Sequence, residues 1–315
     1  MPLPVIEGTE LRRLVPIERA VEALAQAFTA DEPPTTPPRA RTAAGSGELL
    51  LMPAIGTDAV GVKVVTVNPE NPPRGLPFVH AVYALFDGRS LAPRAVIDGE
   101  VLTALRTAAV SALATRHLAL PDASHLVMFG AGTTATAHLE AMRAVRPIRT
   151  ATVVSRTRSR AEALAEAARE WGVDARVGEP DDVAEADVVC TCTTSPEPVF
   201  DGRLLSPGAH VNAIGAFTPD TRELDDAAMA RARVVVETRE AALAEAGDIL
   251  IPLRAGRIEE SRIVADLQEL VRGRTVRTAP DDVTVFKSVG VALEDLAVAL
   301  AAVEARGEGP GTMPG

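Results

Sequence analysis

The chain has 315 residues, enough for two domains with substantial cores. Its net charge of −11 and its aromatic content of 3% argue against a nucleic-acid footprint and against base- or sugar-stacking surfaces. No apolar run approaches the ~20 residues of a membrane span, and "MPLPVIEGTELRRL" lacks the basic and apolar regions of a signal peptide.

In chain order, "IERAVEALAQAF" predicts a helix over 17–28, and the proline-rich "DEPPTTPPRAR" that follows must be extended or turn-like. The runs "ELLLMPA", "AVGVKVVTV" and "HAVYALFD" are rich in β-branched residues and bounded by Gly, Pro and Asp, which predicts strands; "NPENPPRGLP" is the loop between two of them. A long helix is expected over 99–119. From 125 onward strands (125–129, 151–155, 187–191, 209–214, 232–236) alternate with helices, one of them starting near Ser159 as a candidate N-cap. That rhythm predicts an α/β fold with a doubly wound, Rossmann-type parallel sheet beside a second α/β domain. A final apolar helix is expected over 288–305, and a disordered tail over 306–315.

Cys190 and Cys192 are separated by one residue in "ADVVCTCTTS", a spacing at which a mutual disulfide is badly strained. None of His80, His117, His125, His138 and His210 stands at metal-ligand spacing from them. A reduced, cytoplasmic protein without a metal is expected.

In "HLVMFGAGTTATAHLEAM" an apolar strand, the pattern G-x-G-x-x-A and a helix follow one another. Gly130 permits the tight turn, Gly132 lets backbone approach a pyrophosphate, and Ala135 allows close helix–strand packing. The helix N-terminus offers free N–H groups to the phosphates. A site for NAD usually places an acid after the second strand, to bond the ribose 2′-hydroxyl. Here "ATVVSRTRSRA" offers Ser155, Arg156, Thr157, Arg158 and Arg160 instead. Hydroxyls and guanidinium groups match a 2′-phosphate, so NADP(H) is expected over NAD(H).

Three cations stand in apolar surroundings: Lys63 in "VGVKVVTV", Arg106 in "VLTALRTAAVSALA", and Arg41 just before a strand. A lysine flanked by valines is costly unless paired or functional. Spacing alone leaves open whether the three converge on a small anion or lie apart on the surface.

The segments "RARTAAG", "GVKVVTVNPENPPRGLP", "AVIDGEVLTALRTAAVSALAT", "FGAGTTATAH", "GAHVNAIGAFTPDTRELDD", "EAGDIL" and "TVFKSVGVALEDLAVA" together resemble the ornithine cyclodeaminase/mu-crystallin family, nearest its mu-crystallin branch. The resemblance implies a homodimer. It also implies a substrate-binding and dimerisation domain over 1–120, completed by the helix at 288–305, and an NADP-binding Rossmann domain over 121–287. It places Arg41, Lys63 and Arg106 around the carboxylate and reacting nitrogen of an amino or imino acid. Phe217 stands where cyclodeaminases carry an aspartate, and phenylalanine does no acid–base chemistry. The cofactor set becomes Thr107, Gly130, Ala131, Gly132, Thr133, Ser155, Arg156, Thr157, Arg160, Thr191, Cys192, Thr193, Ile214, Gly215 and Ser288.

The activity expected is reduction of a C=N bond beside a carboxylate, with Lys63 as proton donor. A cyclodeaminase, an alanine-dehydrogenase-like enzyme and a ligand-binding protein are the alternatives, Phe78 and Phe217 shaping an apolar pocket in the last case. His80 is expected as a satisfied strand histidine or a pocket residue, Ser288 as a cofactor neighbour or a helix cap. Glu294 and Asp295 are expected on a solvated helix face.

Overall fold

The computed structural model describes residues 3–307. In chain order the elements are β1 (Val5–Ile6), α1 (Gly8–Leu14), α2 (Ile17–Thr29), β2 (Ala40–Ala44), β3 (Gly47–Ile55), β4 (Ala59–Val67), β5 (Val79–Asp87), β6 (Pro93–Asp98) and α3 (Gly99–Leu118). Then follow β7 (His125–Phe129), α4 (Thr133–Val145), β8 (Thr150–Val154), α5 (Arg158–Glu170), β9 (Asp174–Val177), β10 (Val188–Thr191) and β11 (His210–Ala213). The chain continues through α6 (Asp226–Arg231), β12 (Arg233–Val236), α7 (Arg239–Glu245), α8 (Gly247–Arg254), β13 (Ile263–Asp266), α9 (Leu267–Val271), β14 (Thr284–Lys287) and α10 (Ala292–Ala305). Two units result, residues up to Ala109 with those from Val291 onward, and Val110–Gly290. The division falls within α3, ahead of the boundary at 120 drawn from the sequence.

The first unit is a six-stranded sheet in the order β1-β6-β5-β4-β3-β2, antiparallel except where β1 joins β6. Strand alternation sorts its faces. In β4, Ala59, Gly61, Lys63 and Val65 point inward and are buried, while Val64 points out. α10 packs against β3 and β4, and α2 packs against α10. The opposite face carries Leu51, Val64 and Val82 in one cross-strand row, 39%, 37% and 51% exposed.

The second unit is an eight-stranded parallel sheet in the order β13-β12-β14-β11-β10-β7-β8-β9. From β7 the chain winds outward through β8 and β9, then crosses to β10 on the other side of β7. The switch point of this doubly wound sheet lies between β7 and β10, where such folds bind their ligands. Buried polar pairs join α3 to α4 and to the sheet. The Ser111 hydroxyl lies 2.9 Å from His138 Nε2, and Asn212 Nδ2 donates to Thr115 Oγ1 at 2.9 Å. Burial pushes His138 down to about 4, so it packs as a neutral ring.

Several expectations need correction. The cap of α5 is Thr157; Ser159 lies inside the helix. The last helix begins at Ala292, because 284–287 form β14 and Gly290 turns the chain at φ +78°. β1, β9 and β13 are too short to stand out as periodic runs. Arg306 and Gly307 close α10, and the rest of the expected tail, 308–315, lies outside the described residues. No described helix is long and apolar enough to cross a membrane.

Gly61 sits under Tyr83, whose hydroxyl would lie 1.9 Å from a Cβ at that position. Gly61→Ala is therefore expected to cost about 1–3 kcal/mol through overpacking, measured as a lowered urea midpoint with an unchanged m-value.

Candidate active site

In the first unit the pleat aims Lys63 inward from β4, and α10 meets it with an acid. Lys63 Nζ lies 2.9 Å from Oδ1 and 2.8 Å from Oδ2 of Asp295. Arg106, from α3, places Nη1 2.6 Å from Glu294 Oε2 and Nε 3.3 Å from Asp295 Oδ1. Lys63 is 1% exposed, Arg106 6%, and both acids 0%. Two cations and two carboxylates thus balance one another away from water. Burial first and Arg106 second pull the Lys63 ammonium down to about 8, against Asp295, which holds its proton on. That value lies close enough to neutrality for proton transfer.

Tyr83 lies opposite Lys63 on β5, fully buried, with no hydrogen-bond partner for its hydroxyl among the described residues. Burial, and then the Asp295 charge, raise its pKa, so it stays a neutral phenol. Arg41 is not part of the buried cluster. It is exposed on β2 and pairs with Glu48 on β3 at 3.1 Å. Register nevertheless sets it on the inward face: Arg41 opposes Leu50, Leu50 opposes Val65, and Val65 shares its face with Lys63.

Glu294 and Asp295 correct the sequence expectation of a solvated face. α10 buries residues around nearly its whole circumference, so its two acids are interior partners. Apart from Glu304 near its end the helix is otherwise apolar, a weak signal that these two acids are interior. His80 is exposed and pairs through Nδ1 with Glu100 Oε1 at 2.6 Å, outside the cluster. Thr107 follows Arg106 on α3, its hydroxyl donating to the Thr103 carbonyl at 2.6 Å.

In the second unit the glycine motif has the geometry that a dinucleotide requires. Gly130 has φ +107°, and a Cβ there would meet the Cys192 carbonyl oxygen at 2.4 Å. Only glycine suits that turn. Gly132 is the N-cap of α4, carries no side-chain cap, and faces open space where a Cβ would point. The first-turn N–H groups of α4 are therefore free of a capping side chain and fit a phosphate. Ala131 is half-buried and Thr133 exposed beside them.

After β8, Ser155 Oγ accepts from Thr157 N, and Arg158 pairs along its own helix with Glu162 at 3.0 Å. Arg156 and Arg160 are exposed and have no side-chain partner among the described residues. After β10 and β11, Thr191 and Ile214 are buried, while Cys192, Thr193 and Gly215 are half-buried. Burial raises both thiols, Cys190 to about 12, which keeps them protonated. Ser288 neither caps α10 nor stands free. It donates to Glu237, which also accepts from the Val289 and Gly290 amides at 3.1 and 2.8 Å. Phe217 is half-buried against the second unit's core, and Phe78 is half-buried in the first.

Sequence reasoning missed Glu223, Asp248 and Lys287, all fully buried behind these loops. Lys287 in "TVFKSV" carried the same signal as Lys63, a lysine within a valine-rich strand.

A model of the ornithine cyclodeaminase/mu-crystallin family matches residues 6–308. The chain belongs to that family. A relative from Bacillus cereus, Delta(1)-pyrroline-2-carboxylate reductase, is 39% identical over 307 residues, 94% of either chain. Ketimine reductase mu-crystallin of Rattus norvegicus is 40% identical over 257 residues, 80% of this chain and 79% of its own. Among solved structures, Thermococcus litoralis Delta(1)-pyrroline-2-carboxylate reductase in complex with NADH and L-proline superposes with a TM-score of 0.93. It is 33% identical and covers 97% of this chain and 98% of its own. Within the family, a pyridine-nucleotide cofactor is the group that the glycine turn, the open space at Gly132 and the uncapped helix fit.

Asp295→Ala strands Lys63 and Arg106 without their shared carboxylate, and is expected to cost about 3–5 kcal/mol. Lys63→Met combined with Asp295→Leu removes both charges and should recover most of that loss, read from paired urea denaturation curves.

Proposed function

We propose that the protein is an NADPH-dependent reductase of a C=N bond beside a carboxylate. Its substrates would be cyclic ketimines such as pyrroline-2-carboxylate or piperideine-2-carboxylate. The buried Lys63–Asp295 pair with Arg106 beside it carries this reading. When bound, the dinucleotide supplies the hydride. Arg106 and Arg41 grip the carboxylate, and this positioning supplies a large share of the barrier reduction. Lys63 gives its proton to the imine nitrogen, which makes the adjacent carbon a far better hydride acceptor. The resulting neutral amine of Lys63 regains a proton from solvent before the next cycle.

Asp295 keeps Lys63 protonated and aimed, against the pull of burial and of Arg106. Phe217 argues against the cyclodeaminase alternative, because no acid or base stands at that position. The exposed Arg156 and Arg160 support a 2′-phosphate, although the T. litoralis relative was solved with NADH. The apolar outward row Leu51, Val64 and Val82 supports a homodimer formed on that face of the first sheet.

The decisive assay follows NADPH and NADH absorbance with piperideine-2-carboxylate. Fast oxidation of NADPH is expected, and slow oxidation of NADH; oxidation of neither would refute the activity. Activity should fall as pH rises through about 8, where Lys63 loses its proton. Asp295→Asn should move that limb to lower pH, and Lys63→Ala should lower kcat far more than it weakens NADPH binding. Arg160→Ala should raise the KM for NADPH about tenfold, a loss of ~1.4 kcal/mol, and leave that for NADH unchanged.

A further inference from the structure

Behind the loops of the second unit lies a buried polar network that the proposed mechanism does not use. Both oxygens of the Glu223 carboxylate are fully engaged. Oε1 accepts from Thr193 N at 2.8 Å and from Thr193 Oγ1 at 2.7 Å. Oε2 accepts from Thr191 Oγ1 at 2.8 Å and from Gly215 N at 2.6 Å. Four donors therefore converge on one acceptor-only group, and Glu223 is 0% exposed. A carboxylate supplies about four lone-pair sites; a carboxamide would turn its own N–H bonds toward two of these donors.

The four donors come from the last residue of β10, the loop that follows it and the loop after β11, and the two loops are in direct contact. A Cβ on Gly215 would lie 2.0 Å from the Thr193 carbonyl oxygen. Glu223 is itself held from behind. Asp248 Oδ1 accepts from the Glu223 and Leu224 amides, each at 2.8 Å. Asp248 Oδ2 lies 2.8 Å from Lys287 Nζ, which also donates to the Ala216 carbonyl at 2.6 Å and to the Ala213 carbonyl at 3.2 Å. The ends of β10, β11 and β14 are thereby joined through one chain of charges, and the Ala216 carbonyl that Lys287 holds leads directly to Phe217.

Position in the sheet tells which part of a ligand this network serves. Arg156 and Arg160 follow β8, on one side of β7; β10 and β11 lie on the other. A dinucleotide laid across the switch point has its two halves on the two sides. With the 2′-phosphate half at the arginines, the loops held by Glu223 face the other half. Thr191 is fully buried and its hydroxyl is committed to Glu223, so it shapes the site without touching solvent.

We propose that Glu223 is a positioning residue for the nicotinamide half of the cofactor site, supported by Asp248 and Lys287. This inference rests on the reading of the second unit as a dinucleotide-binding domain. It assigns Glu223 no contact with the cofactor; Glu223 acts through Thr193 and Gly215.

The test separates the two halves of the ligand. Full-length Glu223→Gln is titrated with NADPH, by the fluorescence of the bound nucleotide, and with 2′-phospho-ADP-ribose, which lacks the nicotinamide, by calorimetry. NADPH binding is expected to weaken about tenfold, with 2′-phospho-ADP-ribose binding unchanged. Equal weakening of both ligands would show a merely structural role and overturn the proposal, as would unchanged NADPH affinity. Should Glu223→Gln fail to fold, Thr191→Val decides: it removes one of the four donors, and a smaller loss of NADPH affinity, again without loss of the fragment, is expected. A folded wild-type protein that binds neither NADPH nor NADH would overturn the cofactor assignment, and this inference with it. Because both readouts are binding, they stand whatever the imine specificity proves to be.

Discussion

Lys63 and Arg106 are buried together, and two positive charges in such a place are unstable without counter-charges. Much else in the first unit follows from that requirement. α10 must bring Glu294 and Asp295 into the interior, so it must pack against β3 and β4 at the one height where Asp295 reaches Lys63. Gly61 must be a glycine, since Tyr83 fills the space above it beside the charged pair. The sheet can then leave its other face apolar and open without losing its core.

The same device occurs in each unit with a different outcome. Lys63 and Lys287 both point from valine-rich strands to a buried aspartate, Asp295 in one case and Asp248 in the other. Lys287 has two carbonyl oxygens as further partners and works as a bolt. Lys63 has Arg106 as a neighbour, which loosens its proton. Burial lowers the Lys63 pKa most and the neighbouring guanidinium adds to it, while Lys287 ties a strand end to the carbonyls of the next loop.

Much of this arrangement was legible in the sequence, and the missed acids share one cause. The glycine turn, the alternation from 125 onward and the three cations are local patterns, and family resemblance gave them a context. Arg156 and Arg160 stood out because no acid follows β8. Glu294, Asp295, Glu223 and Asp248 escaped because an acid looks the same on a solvated face as in a buried ion pair; only the distant partner distinguishes them. Lys287 could have been found by the argument applied to Lys63. Short strands such as β9 and β13 gave too few residues for a period to show.

The span between Lys63 and Asp295 also governs the order in which the molecule comes together. Their 232-residue separation means that the first sheet can be translated long before its neutralising helix leaves the ribosome. Contacts within Val110–Gly290 are all encoded earlier than α10, so that unit can gain its structure first. Until α10 docks, Lys63 and Arg106 lack their acids, and the cost of drying two unpaired cations opposes closure over that face of the sheet. Docking of α10 is therefore the step that both dries the lysine and supplies its counter-charge.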